Sequence, residues 1–217
     1  MRLVLIGPPG VGKGTQLAGL ALRYDVKRLS TGDILREEMS LKTPLGMAIA
    51  ERVNSGSLVT DETVIAIVRN RILAEEHKNG FVFDGFPRTI AQAEALENML
   101  AENGLPLDRV ISIEAPDDAL VERMSYRLTC KLCKNTFHAL YYPPKNKGFC
   151  DACEGELMIR EDDKPETFKN RLKVYHEQTE PIISFYKQRG MLLTVSGLGD
   201  AKEITQKIID CIEGILV

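Results

Sequence analysis

A glycine-rich segment near the N-terminus has the composition and spacing of a loop that binds phosphate. Residues 7–16 read GPPGVGKGTQ and follow an apolar segment, residues 2–6, that predicts a buried strand. Glycines let the backbone curl so that its N–H groups converge on an anion, and the helix expected from Lys13 onward adds its positive end. Lys13 supplies a point charge for a transferred phosphoryl group. The alternative is an ordinary strand-to-helix turn with an incidental lysine, but the strand before and the helix after favour a nucleotide.

One position in this loop departs from the usual pattern. The lysine of such loops is followed by Ser or Thr, whose hydroxyl ligates Mg²⁺, whereas here Gly14 follows and the hydroxyl comes one residue later, at Thr15. Asp84 ends the apolar segment FVFD, so we expect it at the carboxyl edge of a neighbouring strand. We therefore expect Mg²⁺ to be held mainly by phosphates and water, with Asp84 acting on those waters. Otherwise Asp84 is simply a residue that forms a turn.

Arginines outside the loop occur in separate motifs instead of in one run. Arg36 follows STGD, Arg88 lies in DGFPRT, and Arg123 with Arg127 is expected on one face of a helix from Pro116 to about Arg127. Two more stand after them in the chain, Arg160 and Arg171. Each alone would be an ordinary surface arginine. Together they exceed what one triphosphate needs, so they indicate two phosphorylated substrates that face each other.

Four of the five cysteines fall in one short segment and have the spacing of metal ligands. Cys130 and Cys133 form one C-x₂-C pair, and Cys150 and Cys153 form another. This pattern predicts a tetrahedral Zn²⁺ site of four thiolates, closed and therefore structural; iron or a set of reduced or disulfide-linked cysteines are the alternatives. His138 is then interpreted as a structural or surface residue. A zinc ribbon could bind nucleic acid, but nearby lysines are balanced by acids, so no nucleic-acid partner is expected.

Apolar periodicity predicts an α/β fold with strands and helices in alternation, hence a parallel sheet covered on both faces. Strands are expected at 2–6, 27–30, 81–84, 109–114 and 191–195, and helices from 13, at 60–76, 89–103 and 116–127, and after Asp163 and Asp200. The segment 31–59 reads as helices interrupted by Pro44 and Gly56. Asp163 with Glu166 predicts a capping box, and Pro181 is expected to kink or break the helix.

Charge and hydropathy limit the partners. The chain of 217 residues has 28 basic and 31 acidic side chains, so its net charge of −3 gives no overall field that attracts nucleic acid or an anionic membrane. We see no apolar run long enough to span a bilayer and no pattern of a secretory signal in residues 1–6. We therefore expect a cytoplasmic protein without a membrane partner.

The motifs GPPGVGKGTQ, STGDILR, SGSLVTDE and DGFPRTIAQAEAL, with the cysteine- and arginine-bearing insert, closely resemble the bacterial adenylate kinases whose lid carries cysteines. The resemblance covers essentially the whole chain. It implies a three-layer P-loop nucleoside-monophosphate-kinase fold with a five-stranded parallel sheet, a helical NMP-binding arm at 30–59 and a zinc-stapled lid insert at 126–163. The core would be 1–29, 60–125 and 164–217. The implied reaction is ATP + AMP = 2 ADP with Mg²⁺, in a monomer.

The resemblance also implies site residues. ATP would be bound by Gly10, Val11, Gly12, Lys13, Gly14, Thr15, Arg123, Arg127, Thr136, Phe137 and Gly199, the last three at its base or ribose. AMP would be bound by Thr31, Arg36, Ser57, Leu58, Val59, Gly85, Phe86, Pro87, Arg88, Gln92, Arg160 and Arg171. Thr31 and Gln92 would face the adenine. The catalytic set implied is Lys13, Asp84, Arg88, Arg123, Arg127, Arg160 and Arg171.

The chain departs from the family at the lid hinge, where Tyr126-Arg127-Leu128 stands in place of Gly-Arg-Arg. Catalysis should persist, but the opening of the lid could differ. Two other functions fit parts of the sequence: a kinase for UMP, CMP or GMP, or a P-loop ATPase whose zinc ribbon binds a partner. No Ser/His/Asp or Cys/His constellation is recognisable, which agrees with a kinase because the phosphate of AMP is already an anionic nucleophile.

Overall fold

A computed structural model of the chain describes residues 1–41, 43–72 and 79–215. Its central sheet is parallel throughout and has the strand order β2-β3-β1-β4-β8. The strands are β1 (Arg2–Ile6), β2 (Lys27–Ser30), β3 (Phe81–Asp84), β4 (Arg109–Glu114) and β8 (Leu192–Ser196). The predicted strands are therefore confirmed, the last one shifted by a single residue.

Helices cover both faces of this sheet, which gives the predicted three layers. They are α1 (Lys13–Tyr24), α4 (Asp61–Ile72), α5 (Ile90–Glu102), α6 (Asp117–Ser125), α7 (Pro165–Val174), α8 (Pro181–Gln188) and α9 (Ala201–Ile212). Strand β1 is buried on both faces: Val4 packs into a core with α4, α5 and α8, and Leu5 into another with α1 and α9. The predicted helix at 60–76 is seen from Asp61 to Ile72, and residues 73–76 lie outside the described part of the chain.

Between β2 and α4 the chain forms a helical arm of α2 (Thr31–Ser40) and α3 (Pro44–Ser55). The Thr43 hydroxyl caps α3 by accepting from the Gly46 amide at 3.0 Å. Gly56 ends the helix with φ of 77°, in the left-handed region that favours glycine. The breaks predicted at Pro44 and Gly56 are thus confirmed.

Between α6 and α7 the chain forms a small lid with its own antiparallel sheet, in the order β6-β5-β7. Its strands are β5 (Arg127–Cys130), β6 (Thr136–His138) and β7 (Leu157–Met158). The buried centre of the lid is Phe137 with two of the clustered cysteines. So small a core supplies little stability of its own, so the lid depends on another cross-link.

The structure corrects the expectation for Arg127. Helix α6 ends at Ser125, Tyr126 follows with φ of −112°, and Arg127 is already in β5, where it pairs with His138. Arg123 and Arg127 therefore do not share a helix face, because strand pairing in the lid takes over after Tyr126. At this φ the position needs no glycine.

The expected break at Pro181 is confirmed in a particular form. A π-helical turn, Tyr175–Thr179, precedes α8, and the Glu180 amide donates to the Tyr175 carbonyl at 2.8 Å. Proline lacks an N–H, so Pro181 is accommodated at the first turn of a new helix. None of the helices within the described ranges is long and apolar enough to cross a membrane.

Candidate active site

The glycine-rich loop curls at the carboxyl end of the central strand β1. Gly10 and Gly12 have φ of 82° and 101°, which residues other than glycine rarely adopt. The Lys13 ammonium folds back over the loop and donates to the Gly7 carbonyl at 2.7 Å and the Pro8 carbonyl at 2.9 Å. The loop therefore forms a turn whose lysine is held above its own backbone, at the start of α1.

Asp84 faces this loop from the next strand. In the β1–β3 pairing Asp84 lies opposite Leu5, two residues before the loop begins. A Cβ atom added at Gly14 would have Asp84 Oδ2 as its nearest neighbour, at 3.8 Å, which is an ordinary contact distance. The carboxylate thus stands beside the position where a metal-binding hydroxyl is usual.

Six cations act on one another electrostatically around the loop. They are Lys13, Arg36, Arg88, Arg127, Arg160 and Arg171. Burial, with repulsion from Arg88, Arg171 and Arg127, lowers the pKa of Lys13 to about 8 although Asp84 opposes the shift. Burial and neighbouring arginines likewise lower the pKa of Arg160 to about 10. So many positive charges close together attract anions to this part of the protein.

Two adjacent aspartates hold part of the cation cluster in place. Asp163, whose side chain is fully buried, accepts from Arg127 Nε at 2.8 Å and from an Arg171 guanidinium nitrogen at 3.1 Å. Asp162 accepts from the same Arg171 nitrogen at 3.0 Å. Burial raises the pKa of Asp162, but Arg171 and the other arginines outweigh it and the pKa is lowered.

The helix start predicted from Asp163, Pro165 and Glu166 is confirmed, but the Asp163 side chain does not cap the helix. Helix α7 begins at Pro165 after a 3₁₀ turn, Glu161–Asp163, and Lys164 occupies the N-cap position with no side-chain hydrogen bond. The Asp163 carboxylate instead accepts from Arg127 and Arg171, and in these bonds the donor and the acceptor are both charged.

A cleft joins the loop to the arm and to α7, and it brings residues of both predicted sets together. Its lining includes Gly7, Pro9, Lys13, Gly56, Leu58, Gly85, Pro87, Arg88 and Arg171. Arg88 is fixed beside the cleft by a bond from its Nε to the Gly85 carbonyl at 2.8 Å. A Cβ at Gly85 would come within 2.7 Å of the Thr31 hydroxyl and 2.8 Å of the Arg88 guanidinium, so only glycine fits there.

The other residues expected to bind AMP lie near this cleft, on the side of the arm. The buried Thr31 hydroxyl donates to the Asp84 carbonyl at 3.0 Å, and Arg36 pairs with Asp33 at 2.6 Å. The Ser57 hydroxyl is 3.1 Å from that of Ser55. Two further members, Val59 and Phe86, have buried apolar side chains, which offer a ligand no hydrogen bond. Gln92 is buried and hydrogen-bonded through both ends of its amide.

The outer part of the predicted ATP set is separate from the cation cluster. Arg123 donates to the Val11 carbonyl and to the Gly197 carbonyl, each at 3.2 Å, and so braces the loop from its far side. Phe137 is buried and stacks on Tyr142 at 5.9 Å, so a ligand would meet its backbone only. Thr136 and Gly199 are exposed. Neither of these two is among the residues that line the cleft.

The four lid cysteines converge as the spacing predicts. Their sulfur atoms lie within 4.8 Å of one another, and the Cys130–Cys153 and Cys133–Cys150 pairs are 3.5 Å apart. A tetrahedron of thiolates around Zn²⁺, with Zn–S bonds of about 2.3 Å, has edges of about 3.8 Å. The donor set therefore fits a four-coordinate thiolate site, in which the cysteines are free and not disulfide-bonded.

The backbone around these cysteines repeats one turn twice. The amide of Lys134 donates to the Cys130 carbonyl at 3.2 Å and that of Glu154 to the Cys150 carbonyl at 2.8 Å. Both Lys134 and Glu154 have positive φ, of 62° and 57°. Burial raises the pKa of the Cys130 thiol, but the backbone amides of Cys133 and Leu132 outweigh it and lower the pKa to about 6. A thiolate is thus favoured at Cys130, whereas at Cys133 the Asn135 amide lowers the pKa but hydrogen bonds with the neighbouring thiols and burial outweigh it and raise the pKa.

His138 lies outside the cysteine cluster. Its Nε2 is 3.1 Å from the Arg123 carbonyl, and its Nδ1 accepts from the Leu140 and Tyr141 amides at 3.2 and 3.1 Å. Burial, with the nearby Arg123 charge, lowers its pKa although the Arg123 carbonyl opposes the shift. The ring therefore links β6 to the end of α6, which agrees with its interpretation as a structural residue.

Sequence reasoning missed four polar residues that hold the site together: Asp61, Thr89, Asp162 and Asp163. Asp163 was assigned to a helix cap, and Asp162 had no assigned role. Asp61 and Thr89 lie within the quoted motifs SGSLVTDE and DGFPRTIAQAEAL. Their presence in these motifs is the feature of the sequence that could have identified them. Their roles depend on contacts between segments about 30 residues apart, such as the Asp61–Gln92 bond, which spacing alone does not reveal.

Replacing Asp163 by asparagine should destabilise the protein by about 3 kcal/mol, because it leaves two partly buried arginines without their shared anion. Urea unfolding in a buffer free of phosphate measures the change. Glu161→Gln is the matched control, since Glu161 pairs with Lys164 at the exposed surface and its loss should cost less than about 0.5 kcal/mol. Equal stabilities of Asp163→Asn and Glu161→Gln would contradict the role assigned to Asp163.

Comparisons with known proteins place this site in a family. The adenylate kinase family model matches residues 5–191. The chain is 51% identical over 209 residues to the adenylate kinase of Caldicellulosiruptor saccharolyticus, with 96% of this chain and 97% of that protein covered. It is 46% identical to the adenylate kinase of Streptomyces avermitilis (98% and 97% covered) and 44% identical to that of Geotalea daltonii (99% and 100% covered). With its P-loop fold and four-cysteine lid, the chain belongs to the adenylate kinase family.

Proposed function

We propose that the protein transfers a phosphoryl group between two adenine nucleotides, ATP + AMP = 2 ADP. The observation that carries this proposal is the cluster of six cations between the loop and the arm. One triphosphate is served by the loop amides and Lys13, so the arginines from the arm, the lid and α7 are available for a second phosphorylated molecule. Membership of the adenylate kinase family supports adenine nucleotides as both substrates.

The three parts of the chain would then have separate tasks. The core (1–29, 60–125 and 164–217) holds the loop, the arm (30–59) takes AMP, and the lid (126–163) covers ATP. Transfer to AMP instead of to water requires that water be excluded, so the arm and the lid close over the core. We infer a monomer from the resemblance to the bacterial adenylate kinases.

On the ATP side, the amides of residues 10–15 would bind the phosphates at the start of α1. Arg123 would support the loop through its bond to the Val11 carbonyl. The base or ribose would lie against Thr136, Gly199 and the backbone of Phe137. On moving from the carbonyls of Gly7 and Pro8 to a phosphate, the Lys13 ammonium would exchange two neutral partners for a charged one.

On the AMP side, Arg36 and Arg88 would bind the α-phosphate. Thr31 and Gln92 would face the adenine, and the backbone of residues 57–59 and 85–87 would border the nucleotide. Arg127, Arg160 and Arg171 would surround the group in transfer, together with Lys13. Asp162 and Asp163 already orient two of these arginines, so little reorganisation is needed when charge develops.

The reaction needs alignment and charge, not a general base. A phosphate oxygen of AMP attacks the γ-phosphorus of ATP in line with the bond to the departing ADP oxygen, and the cations balance the charge on the oxygens. Asp84 beside Gly14 offers a carboxylate for a hydrated Mg²⁺ held by the phosphates. When bound, Mg²⁺ supplies further charge neutralisation at those phosphates.

We infer Zn²⁺ as the resident metal of the lid, held by Cys130, Cys133, Cys150 and Cys153. Four thiolates leave no open coordination position, so its role is structural. Because the lid core is small, the metal would keep the lid folded as one unit.

A coupled assay for AMP-dependent formation of ADP from ATP tests the proposed reaction. We expect AMP to be the preferred acceptor over GMP, CMP and UMP, and Arg88→Met to lower turnover by about 10³-fold while the protein stays folded. Preference for another monophosphate would favour the alternative kinase. Release of free phosphate without need for AMP would favour an ATPase and contradict the proposal.

Binding of ATP should depend on pH through Lys13. Because the pKa of Lys13 in the free protein is about 8 and a bound phosphate favours its charged form, binding takes up a proton above that pH. Calorimetry without Mg²⁺ should show the affinity falling by up to about tenfold per pH unit between pH 8 and 10. Lys13→Met should bind more weakly and without this slope. A wild-type affinity that is constant up to pH 10 would contradict the role of Lys13.

Metal analysis of the purified protein should give about one zinc and no iron per chain. Cys133→Ser should lose the metal and melt at lower temperature, since the thiolate shell is broken. Cys211→Ser is the control, because Cys211 lies on α9, outside the lid, and should retain the full zinc content. Iron in the site, or much less than one zinc per chain, would count against a structural zinc.

A further inference from the structure

Gln92, buried at 1% exposure, is held at both ends of its side-chain amide. Its Oε1 accepts from the Arg88 backbone N–H at 2.8 Å, and its Nε2 donates to Asp61 Oδ1 at 2.7 Å. The other carboxylate oxygen of Asp61 accepts from the Thr89 hydroxyl at 3.0 Å. A residue of α4 therefore fixes the α5 side chain that the proposed function places against the adenine of AMP.

This network permits a single orientation of the amide. A backbone N–H can only donate and a carboxylate can only accept, so exchanging O and N at Gln92 would place donor against donor and acceptor against acceptor. The Thr89 hydroxyl accepts from the Gln92 backbone amide at 3.2 Å, so its proton is directed to Asp61. The orientation thus follows from partners whose roles cannot change.

The fixed amide has two hydrogen-bonding positions left, the second lone pair of Oε1 and the second proton of Nε2. Adenine presents a donor on its 6-amino group and an acceptor at N1, which this pair of positions complements. A purine with a carbonyl at C6 and a proton on N1 presents the reverse pattern and would need the exchanged amide. A buried site that leaves polar groups unpaired rejects the wrong partner strongly.

We propose that Asp61 is a positioning residue that sets base specificity: by fixing the Gln92 amide, it makes the monophosphate site select 6-aminopurines over 6-oxopurines. The inference rests on the proposed binding of AMP beside Gln92. Without Asp61 the Arg88 N–H alone would hold the amide. In Asp61→Asn the Thr89 proton would attract the asparagine oxygen and turn its NH₂ group toward Gln92, so each amide orientation would satisfy one partner and oppose the other, and neither would be favoured.

The test compares AMP with inosine monophosphate, whose base differs from adenine at the C6 group and the N1 proton alone. For the wild-type protein we expect kcat/KM for AMP to exceed that for inosine monophosphate by about 10³-fold or more. Asp61→Asn should reduce this ratio by about tenfold or more, mainly through KM. Glu62→Gln is the matched control, since Glu62 is an exposed acid in the same first turn of α4 and its loss should change the ratio less than about twofold.

A folded Asp61→Asn protein that keeps the wild-type ratio overturns the inference. A Gln92→Ala protein with an unchanged KM for AMP overturns it as well, because the base would not lie against Gln92. If Asp61→Asn does not fold, Asp61→Ala gives the same test, with an expected drop of several-fold. Failure of the wild-type protein to phosphorylate AMP at all is a different result, which overturns the proposed function itself and is seen before any variant is made.

Discussion

Repulsion among cations gathered at one edge of the sheet is the constraint on which the rest of the site depends. Burial, with repulsion from neighbouring cations, lowers the pKa of Lys13, Arg88, Arg160 and Arg171, and Arg36 and Arg127 are among the charges that act on them. Asp162 and Asp163 offset part of this repulsion, and Asp163 does so from a fully buried position. The remaining positive charge is available to phosphates, which agrees with the proposed binding of two nucleotides.

The fold explains how residues so far apart in sequence share this edge. Parallel strands β2, β3 and β1 end side by side, which brings the start of the arm, Asp84 and the glycine-rich loop together. Arg36 from the arm and Arg127 from the lid act electrostatically on the cations that line the cleft. The lid has a small core of its own, and the four cysteines converge beside it.

Much of this organisation could be predicted from the sequence. Strands such as residues 2–6 are short apolar runs bounded by turns, and the arm is interrupted at Pro44 and Gly56, residues whose backbone preferences are strong. The cysteine cluster was predictable because C-x₂-C pairs form local turns. These features depend on residues that are close together in the sequence, so tertiary contacts do not change the structure that they predict.

The errors arose where tertiary contacts override a local signal. Asp163 precedes a helix with the spacing of a cap, yet its carboxylate accepts from Arg127 and Arg171, which reach it from β5 and from within α7. Arg127 has helical spacing from Arg123, yet pairing with His138 draws it into a strand. The hydrogen bonds of Asp61 with Thr89 and Gln92 join separate elements, so no periodic pattern in the sequence predicts them.

The central claim is that the cation cluster serves two nucleotides at once. Calorimetric titration of AMP into protein saturated with a non-hydrolysable ATP analogue and Mg²⁺ tests it most directly. Two separate sites predict that one AMP still binds per chain, with the analogue retained. Displacement of the analogue by AMP, or no AMP binding to the saturated protein, would mean a single nucleotide site and would contradict the account.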